Sequence, residues 1–264
     1  MFIYFKLAGM SKENINVKEI LDFYILSGVE ETCGEIAFSC VKKDVLPKAD
    51  RKIHSHLAFD TKEALESAYD LCDRVSSIDE LKTLVENFEG CSLKTTALST
   101  VMGDGNPNAK LMFVGEAPGA DEDRIGRAFV GRSGQLLDKM LASIGLNREN
   151  CYICNILPWR PPGNRAPADA EIAVCLPFLK KQIEIVQPDI IFALGAVAVN
   201  TLLDNTDTIS KLRGKWMEYK TESGKIVDVM AGYHPAYLLR TPAQKAKAWS
   251  DFLRLRKKME QTTC

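Results

Sequence analysis

The stretch Leu111-Met112-Phe113-Val114-Gly115-Glu116-Ala117-Pro118-Gly119 joins an apolar run directly to a turn. Four apolar residues in a row are typical of a buried strand. Glycines and a proline after such a strand form a tight turn whose backbone N–H groups can face a ligand. A second apolar stretch ends at Tyr233-His234-Pro235-Ala236-Tyr237-Leu238-Leu239-Arg240. Because ligands in open α/β sheets bind at the carboxyl ends of strands, we predict that these two segments form opposite walls of one pocket.

The region 91–264 alternates between strand and helix patterns, and we interpret it as the main folded domain. The predicted strands are 110–115, 151–157, 189–195 and 226–232, and the predicted helices are 133–144, 168–186, 196–203 and 242–260. This alternation predicts an α/β fold: a three-layer α/β/α arrangement with a central, mostly parallel, four-stranded sheet.

Residues 1–90 are predicted to form a helical N-terminal extension with a polar linker. Helical spacing occurs at 17–28, 61–72 and 77–88, where Ser77 is a candidate N-cap. The linker, 42–56, is polar and irregular. The sequence assigns no role to this extension.

Composition and charge restrict the classes of protein to consider. Hydrophobic residues make up 46% and charged residues 26% of the chain, which is ordinary for a soluble globular protein. No apolar run reaches the roughly 20 residues of a membrane span, and the first residues do not resemble a secretory signal. We therefore expect a cytoplasmic protein without a membrane partner, and a monomer.

Charge is distributed unevenly along the chain. Residues 1–90 carry 11 Lys+Arg against 17 Asp+Glu, whereas residues 211–264 carry 12 against 5. Basic charge thus gathers around the histidine segment, where a phosphate backbone could lie. A solvated basic helix at the C-terminus is the alternative interpretation.

Eight cysteines are present, and without a secretory signal they are not expected to form disulfides. Cys151 and Cys154 have the spacing of a metal or redox pair. They lie in a predicted strand, however, where residues three apart point to opposite faces. We interpret them as buried, unreactive thiols.

Residues 91–264 resemble the uracil-DNA glycosylase superfamily, and most closely its family 4. The resemblance rests on five motifs in order: 115–119, 126–137, 152–157, 160–165 and 234–240. It implies hydrolysis of the N-glycosidic bond of deoxyuridine in single- or double-stranded DNA, which releases uracil and leaves an abasic site for base excision repair. The alternative is a protein that binds uracil or abasic DNA with little or no turnover.

The resemblance also implies a substrate-binding set. A flipped base would stack on Phe129, and the amide of Asn155 would pair with uracil, since it carries an acceptor beside a donor. Ala117 would contact the substrate, and Glu122 would lie at the edge that excludes the methyl group of thymine. Three of these residues have a structural alternative: a core aromatic for Phe129, a turn cap for Asn155 and a solvated loop for Glu122.

The implied catalytic residues are His234 and Glu116. A neutral His234 would donate to uracil O2 as negative charge develops on the base, and Glu116 would position water or offset the charge of the sugar cation. The other histidines, His54 and His56, lie in the polar linker. The implied DNA-binding residues are Tyr237, Leu238, Leu239 and Arg240, whose apolar members would fill the space left by the base. An ordinary helix start at Pro242 with packed leucines is the alternative.

The sequence departs from family 4 at the four cysteines that usually hold a 4Fe–4S cluster. Cys91 and Cys175 match two of these positions, but Phe88 and Trp159 replace the other two. Because a cluster needs thiolate ligands, we predict that this chain has no cofactor and no metal. An unusual site that recruits Cys72 or Cys154 is the alternative.

Overall fold

The computed structural model describes residues 61–262, so the predicted helix at 17–28 and the linker at 42–56, with His54 and His56, lie outside the described residues. The strands are β1 (Asp104–Gly105), β2 (Leu111–Gly115), β3 (Cys151–Asn155), β4 (Ile190–Leu194), β5 (Trp216–Lys220) and β6 (Ile226–Gly232). The helices are α1 (Thr61–Cys72), α2 (Ile78–Asn87), α3 (Ala120–Ile125), α4 (Arg132–Ser143), α5 (Asp169–Val186), α6 (Ala196–Leu203), α7 (Ile209–Leu212), α8 (Pro235–Arg240) and α9 (Lys245–Thr262).

In the described part of the chain, the strands form one six-stranded sheet in the order β1-β3-β2-β4-β6-β5. The four central strands are parallel, and β1 and β5 pair antiparallel at the two edges. The mostly parallel sheet is therefore confirmed, but the expected number of four strands is wrong. The sequence analysis missed β1 because it has two residues, and β5 because its side chains are exposed or half-buried.

Strands β2, β3 and β4 are buried on both faces, which explains their mostly apolar sequences. Residues of β2 alternate between two cores, as the period of two requires. Met112 and Val114 join a large core that includes residues of α1, α2, α5 and α6. Leu111 and Phe113 join a second core that includes residues of α4 and α9. The three-layer arrangement is thus confirmed.

The helices α1 and α2 belong to the first of these cores. Ala68, Leu81 and Val85 are fully buried in it, and Ser77 caps α2 by accepting a hydrogen bond from the N–H of Glu80 at 3.2 Å. The predicted boundary after residue 90 therefore does not coincide with a division of the core. This packing could not be predicted from the sequence, because the spacing of apolar residues along a helix does not reveal what its apolar face contacts.

The order of the strands creates a switch point. From β2 the chain moves to β3 on one side, whereas β4 and β6 lie on the other side. In sheets of this kind the crevice outside the carboxyl ends of the strands at the switch point is the usual ligand site. Within residues 61–262, none of the helices is long and apolar enough to cross a membrane.

A buried ion pair attaches α9 to the sheet. The guanidinium of Arg213 donates to both carboxylate oxygens of Asp251, at 3.1 and 2.8 Å. The side chain of Asp251 is 1% exposed. Arg213 also lies 5.2 Å from the ring centroid of Tyr233, the residue before His234. This pair therefore connects α9 to the end of β6.

We expect Asp251→Ala to lower the free energy of unfolding by about 3 kcal/mol, because it leaves a mostly buried guanidinium without its partner. Urea unfolding monitored by circular dichroism measures this change. The control is Glu260→Ala, which removes an exposed partner of Arg256 and should cost about 0.5 kcal/mol or less. Equal stabilities for the two variants would contradict this account of Asp251.

Candidate active site

A cavity of about 520 Å³ opens at the carboxyl ends of the parallel strands. Its walls come from the turn after β2, the end of β3, the loop before α4 and the residues after β6. All six predicted substrate-binding and catalytic residues line it: Glu116, Ala117, Glu122, Phe129, Asn155 and His234. The size is that of a small-molecule pocket, which typically holds about 300–1,000 Å³. The two predicted walls therefore face one cavity.

Gly115, the last residue of β2, lies directly against two side chains of the cavity wall. Its register partner in β3 is Asn155. A Cβ atom placed on Gly115 would lie 2.4 Å from Asn155 Oδ1 and 2.6 Å from Phe129 Cζ. Because a side chain has no room there, glycine lets the amide and the aromatic ring meet against the backbone of the central strand.

Phe129 and His234 stand beside each other in the pocket. Their ring centroids are 5.7 Å apart, with an angle of 36° between the planes. Phe129 is 4% exposed and also contributes to the second core. Phe129 is thus both a core aromatic, as its structural alternative expected, and a residue of the pocket wall.

Asn155 carries a buried acceptor without a partner. The residue is 4% exposed, and Oδ1 has no hydrogen-bond partner in the described part of the chain. A buried polar atom of this kind is costly unless something pairs with it. Its position on the cavity wall makes a ligand that carries an N–H donor the natural partner.

His234 is held in one tautomer. Its Nδ1 accepts a hydrogen bond from the backbone N–H of Ala236 at 3.1 Å, which caps α8. In the neutral ring the proton must therefore be on Nε2. Burial, reinforced by the positive charge of Arg240, lowers the pKa of His234 to about 4. At neutral pH the imidazole is an uncharged N–H donor.

Glu116 follows β2 directly and lines the same cavity. It is half-buried, and this burial raises the pKa of its carboxyl group. A carboxylate placed here carries negative charge in a poorly solvated position, where it acts strongly on any cationic centre that enters the pocket. Ala117 adjoins it on the cavity wall.

Glu122 connects two loops of the pocket. One carboxylate oxygen accepts from the N–H of Gly119 at 3.1 Å, and the other accepts from the N–H of Gly131 at 2.8 Å. The residue is 8% exposed. The structural alternative, a solvated loop, is therefore wrong for Glu122, because the sequence pattern could not reveal its two backbone partners.

The predicted DNA-binding segment is only partly available. Tyr237 and Arg240 line the cavity, and Leu239 is half-buried. Leu238, however, is 1% exposed and packs in a small core with Tyr233 and Ala248. Leu238 is therefore not exposed to a ligand in this structure, because the helical turn of α8 directs its side chain into the protein.

Two further cations stand at the cavity wall. Arg132 and Arg165 are exposed and line the cavity together with Arg240. The sequence analysis quoted the motifs that contain Arg132 and Arg165 but assigned no role to either side chain. Arg132 adds positive charge around the opening, whereas the guanidinium of Arg165 is paired with Glu171. Guanidinium groups of both kinds suit contacts with phosphate.

Comparison with known proteins gives a consistent result. The sequence model described as the Uracil DNA glycosylase superfamily matches residues 102–253. The type-4 uracil-DNA glycosylase of Archaeoglobus fulgidus is 42% identical over 69% of this chain and 92% of its own length. The Thermotoga maritima enzyme of that name is 42% identical over 62% and 83%. The Sulfurisphaera tokodaii enzyme is 38% identical over 69% and 84%.

These relatives contradict the prediction of a chain without a cofactor, because type-4 uracil-DNA glycosylases are iron–sulfur cluster enzymes as a family. The residues at the corresponding positions supply two thiols. Cys91 and Cys175 are buried, and the Cys175 S–H donates to the Cys91 sulfur at 3.9 Å. Residues 61–262 hold no group of three or more His, Cys, Asp and Glu that suits a metal ion.

Aromatic side chains occupy the two remaining positions. Phe88 is 4% and Trp159 1% exposed, and both pack edge-on against Phe178, at centroid distances of 5.1 and 6.4 Å. Cys72 and Cys154, the alternative ligands, are buried in the same large core, where burial raises the pKa of both thiols. The described side chains therefore do not fit a four-thiolate cluster.

The fold, the shared cavity and the relatives all indicate the same family. The match covers more than half of the chain, from β1 into α9, and it includes Phe129, Asn155 and His234. This chain belongs to the uracil-DNA glycosylase superfamily, and it is an enzyme of that group.

Proposed function

We propose that this enzyme hydrolyses the N-glycosidic bond of deoxyuridine in DNA, which releases uracil and leaves an abasic site for base excision repair. The observation that carries the proposal is the unpaired, buried Oδ1 of Asn155, in a cavity that also presents the rings of Phe129 and His234. A flat heterocycle with an N–H donor and a carbonyl group complements these three side chains.

The first step is recognition of the extruded base. Phe129 provides a flat apolar surface on which a pyrimidine can stack. Asn155 Oδ1 then accepts from uracil N3–H, and Nδ2 donates to O4. Cytosine presents an acceptor at N3 and a donor at C4, so the same amide orientation leaves buried polar atoms unpaired. Such a mismatch gives strong discrimination.

Bond cleavage places negative charge on the departing uracil. The Nε2–H of a neutral His234 is suited to donate a hydrogen bond to O2 as this charge develops. The N–H of Ala236 supports this role because it engages Nδ1 and so keeps the proton on the other nitrogen. A donor of this type contributes roughly 10²–10³ in rate.

The sugar becomes cationic as the bond breaks, and water must then reach C1′. Glu116 is suited to both tasks as a carboxylate: its charge offsets the cation, and its oxygens can orient the water. The low dielectric around a half-buried group strengthens the first effect.

The pocket must also exclude thymine, which differs from uracil only by a methyl group at C5. Glu122 is a candidate for this contact because it lines the cavity and is fixed by hydrogen bonds from Gly119 and Gly131. A carboxylate held at two points cannot move aside easily for a methyl group. Its negative charge also makes contact with an apolar group unfavourable.

DNA bearing uracil is the proposed partner, single- or double-stranded, and we expect the enzyme to act as a monomer in the cytoplasm. Arg132, Arg165 and Arg240 around the cavity are suited to bind backbone phosphates. Tyr237 and Leu239 remain the candidates for contacts with the neighbouring bases. Binding should weaken as salt rises, because phosphate contacts release counterions.

We expect Asn155→Ala to lower kcat/KM for uracil release by roughly 100-fold or more and to reduce the preference for uracil over cytosine, because it removes the paired amide. Release of free base from matched oligonucleotides measures both effects. The control is Asn164→Ala, at the wall of the same cavity, where the amide oxygen already accepts from Arg160 at 2.8 Å. Equal activity of the two variants would remove the basis for this recognition scheme.

The rate should fall only on the acid side of its pH profile, because the reaction needs Glu116 ionised and His234 neutral. Burial raises the pKa of Glu116 above the ordinary value of 4.5, whereas His234 stays neutral down to about pH 4. In wild type, Glu116 should therefore set the acid limb. In Glu116→Gln the limb should move down to about pH 4, at a lower maximal rate. Profiles of kcat/KM test this, and an unmoved limb contradicts it.

A further inference from the structure

Phe129 adopts a backbone conformation that is rare for its residue type. Its φ is +54°, in the left-handed region that glycine favours and bulky residues avoid. A residue persists in this region only where the surrounding structure holds it there, and such strain is often found at functional sites. The conformation of Phe129 therefore needs specific contacts on its backbone.

One such contact comes from the first turn of α4. A Cβ atom on Gly134 would lie 1.7 Å from the carbonyl oxygen of Phe129 and 2.8 Å from its Cα atom. The helix thus packs directly against the backbone of Phe129, and glycine is the residue that permits this approach.

The polar contact on the same backbone comes from Arg148, in the turn before β3. One terminal nitrogen of its guanidinium donates to the carbonyl oxygen of Ala128 at 3.0 Å, and the other donates to the carbonyl oxygen of Phe129. Two successive carbonyl groups are therefore held by one side chain. The planar, forked guanidinium of arginine suits this geometry, whereas an ammonium group does not.

Arg148 is itself fixed by two carboxylates. Its Nε donates to Asp138 of α4 at 2.8 Å, and it also pairs with Asp104 of β1. The side chain of Arg148 is 20% exposed. The guanidinium therefore links β1, α4 and the loop of Phe129, and it has little freedom to move away.

We propose that Arg148 is a positioning residue for the base pocket. By holding the carbonyl groups of Ala128 and Phe129, Arg148 sets the plane of the Phe129 ring. This inference rests on the proposed function, because it assumes that the base stacks on Phe129. Arg148 does not line the cavity, so it acts through Phe129 and not on the substrate.

The proposal implies a particular kinetic pattern. Phe129 stacks on the base in the ground state and in the transition state alike, so loss of its orientation removes uniform binding. KM for uracil-bearing DNA and the dissociation constant of free uracil should then rise together, while kcat changes less. A general loss of folding would instead lower the active fraction and leave both constants unchanged in the surviving molecules.

The experiment measures kcat, KM and, by calorimetry, the dissociation constant of free uracil for wild type, Arg148→Met and Arg148→Lys. We expect both constants to rise by about tenfold or more in Arg148→Met, since hydrogen bonds from a charged donor are lost. Arg148→Lys should give an intermediate increase, because it keeps the charge but not the fork. If Arg148→Met does not fold, Asp138→Asn should shift both constants in the same direction by a smaller factor.

Arg127→Met is the matched control. Arg127 donates to the same Asp104 at 3.0 Å, but its side chain is 59% exposed. Both constants should remain at wild-type values in this variant. In a Phe129→Leu background, Arg148→Met should add less than about a twofold further increase, because coupled residues are not additive.

Wild-type constants for Arg148→Met or Arg148→Lys, or full additivity with Phe129→Leu, would overturn the proposal. Uracil binding and release by the wild-type enzyme test the proposed function separately. If wild type neither binds nor releases uracil, the function itself fails, whatever the variants show.

Discussion

The parallel pairing of β2 with β3 and β4 is the constraint on which the site depends. It places Gly115 opposite Asn155, and the parallel β4–β6 pair brings Gly232, two residues before His234, to the same edge of the sheet. Each of these site residues ends its strand or follows it within two positions. A slip of one residue in any of these pairs would turn side chains to the opposite face. The apolar cores on both faces of the sheet therefore fix the geometry of the pocket.

The pocket also shows how one environment sets the charge of two groups. Burial lowers the pKa of His234 and raises that of Glu116, so both shifts favour the uncharged form. For the histidine this produces a neutral donor over a wide pH range. For the glutamate, burial opposes ionisation. The carboxyl group is therefore charged over a narrower pH range below neutrality than an exposed glutamate would be. The same poor solvation strengthens each group's action on a bound substrate.

The sequence was sufficient to predict the central strands and the large helices, because their apolar patterns have a clear period. It was also sufficient to bring Phe129, Asn155 and His234 to one site, since the ordered motifs identified the family. Edge strand β5 was missed because its side chains are exposed or half-buried, so no continuous apolar run marks it. Leu238 is buried although it was expected at an exposed tip, since a spacing pattern alone cannot tell an exposed apolar side chain from a buried one.

Other features depend on contacts between distant parts of the chain, which local patterns do not encode. The clamp of Arg148 on the carbonyl of Phe129 joins residues 19 positions apart, and nothing in either segment alone indicates it. The residues around Cys91 raise a related difficulty. Substitution at two cysteine positions suggested the loss of a cofactor, whereas the relatives belong to a family of cluster enzymes. The residues at the ligand positions therefore did not predict the cofactor that characterises the family of the relatives.

The packing of α1 and α2 has a practical consequence for the length of chain that can be produced alone. Leu81, Val85 and Phe88 lie in the same core as Phe178 of α5. A shortened protein that starts after them would uncover this apolar surface of α5 to water, and exposed surfaces of that kind promote aggregation. Any minimal soluble version of the enzyme should therefore include α1 and α2, which lie well upstream of the first recognisable sequence motif.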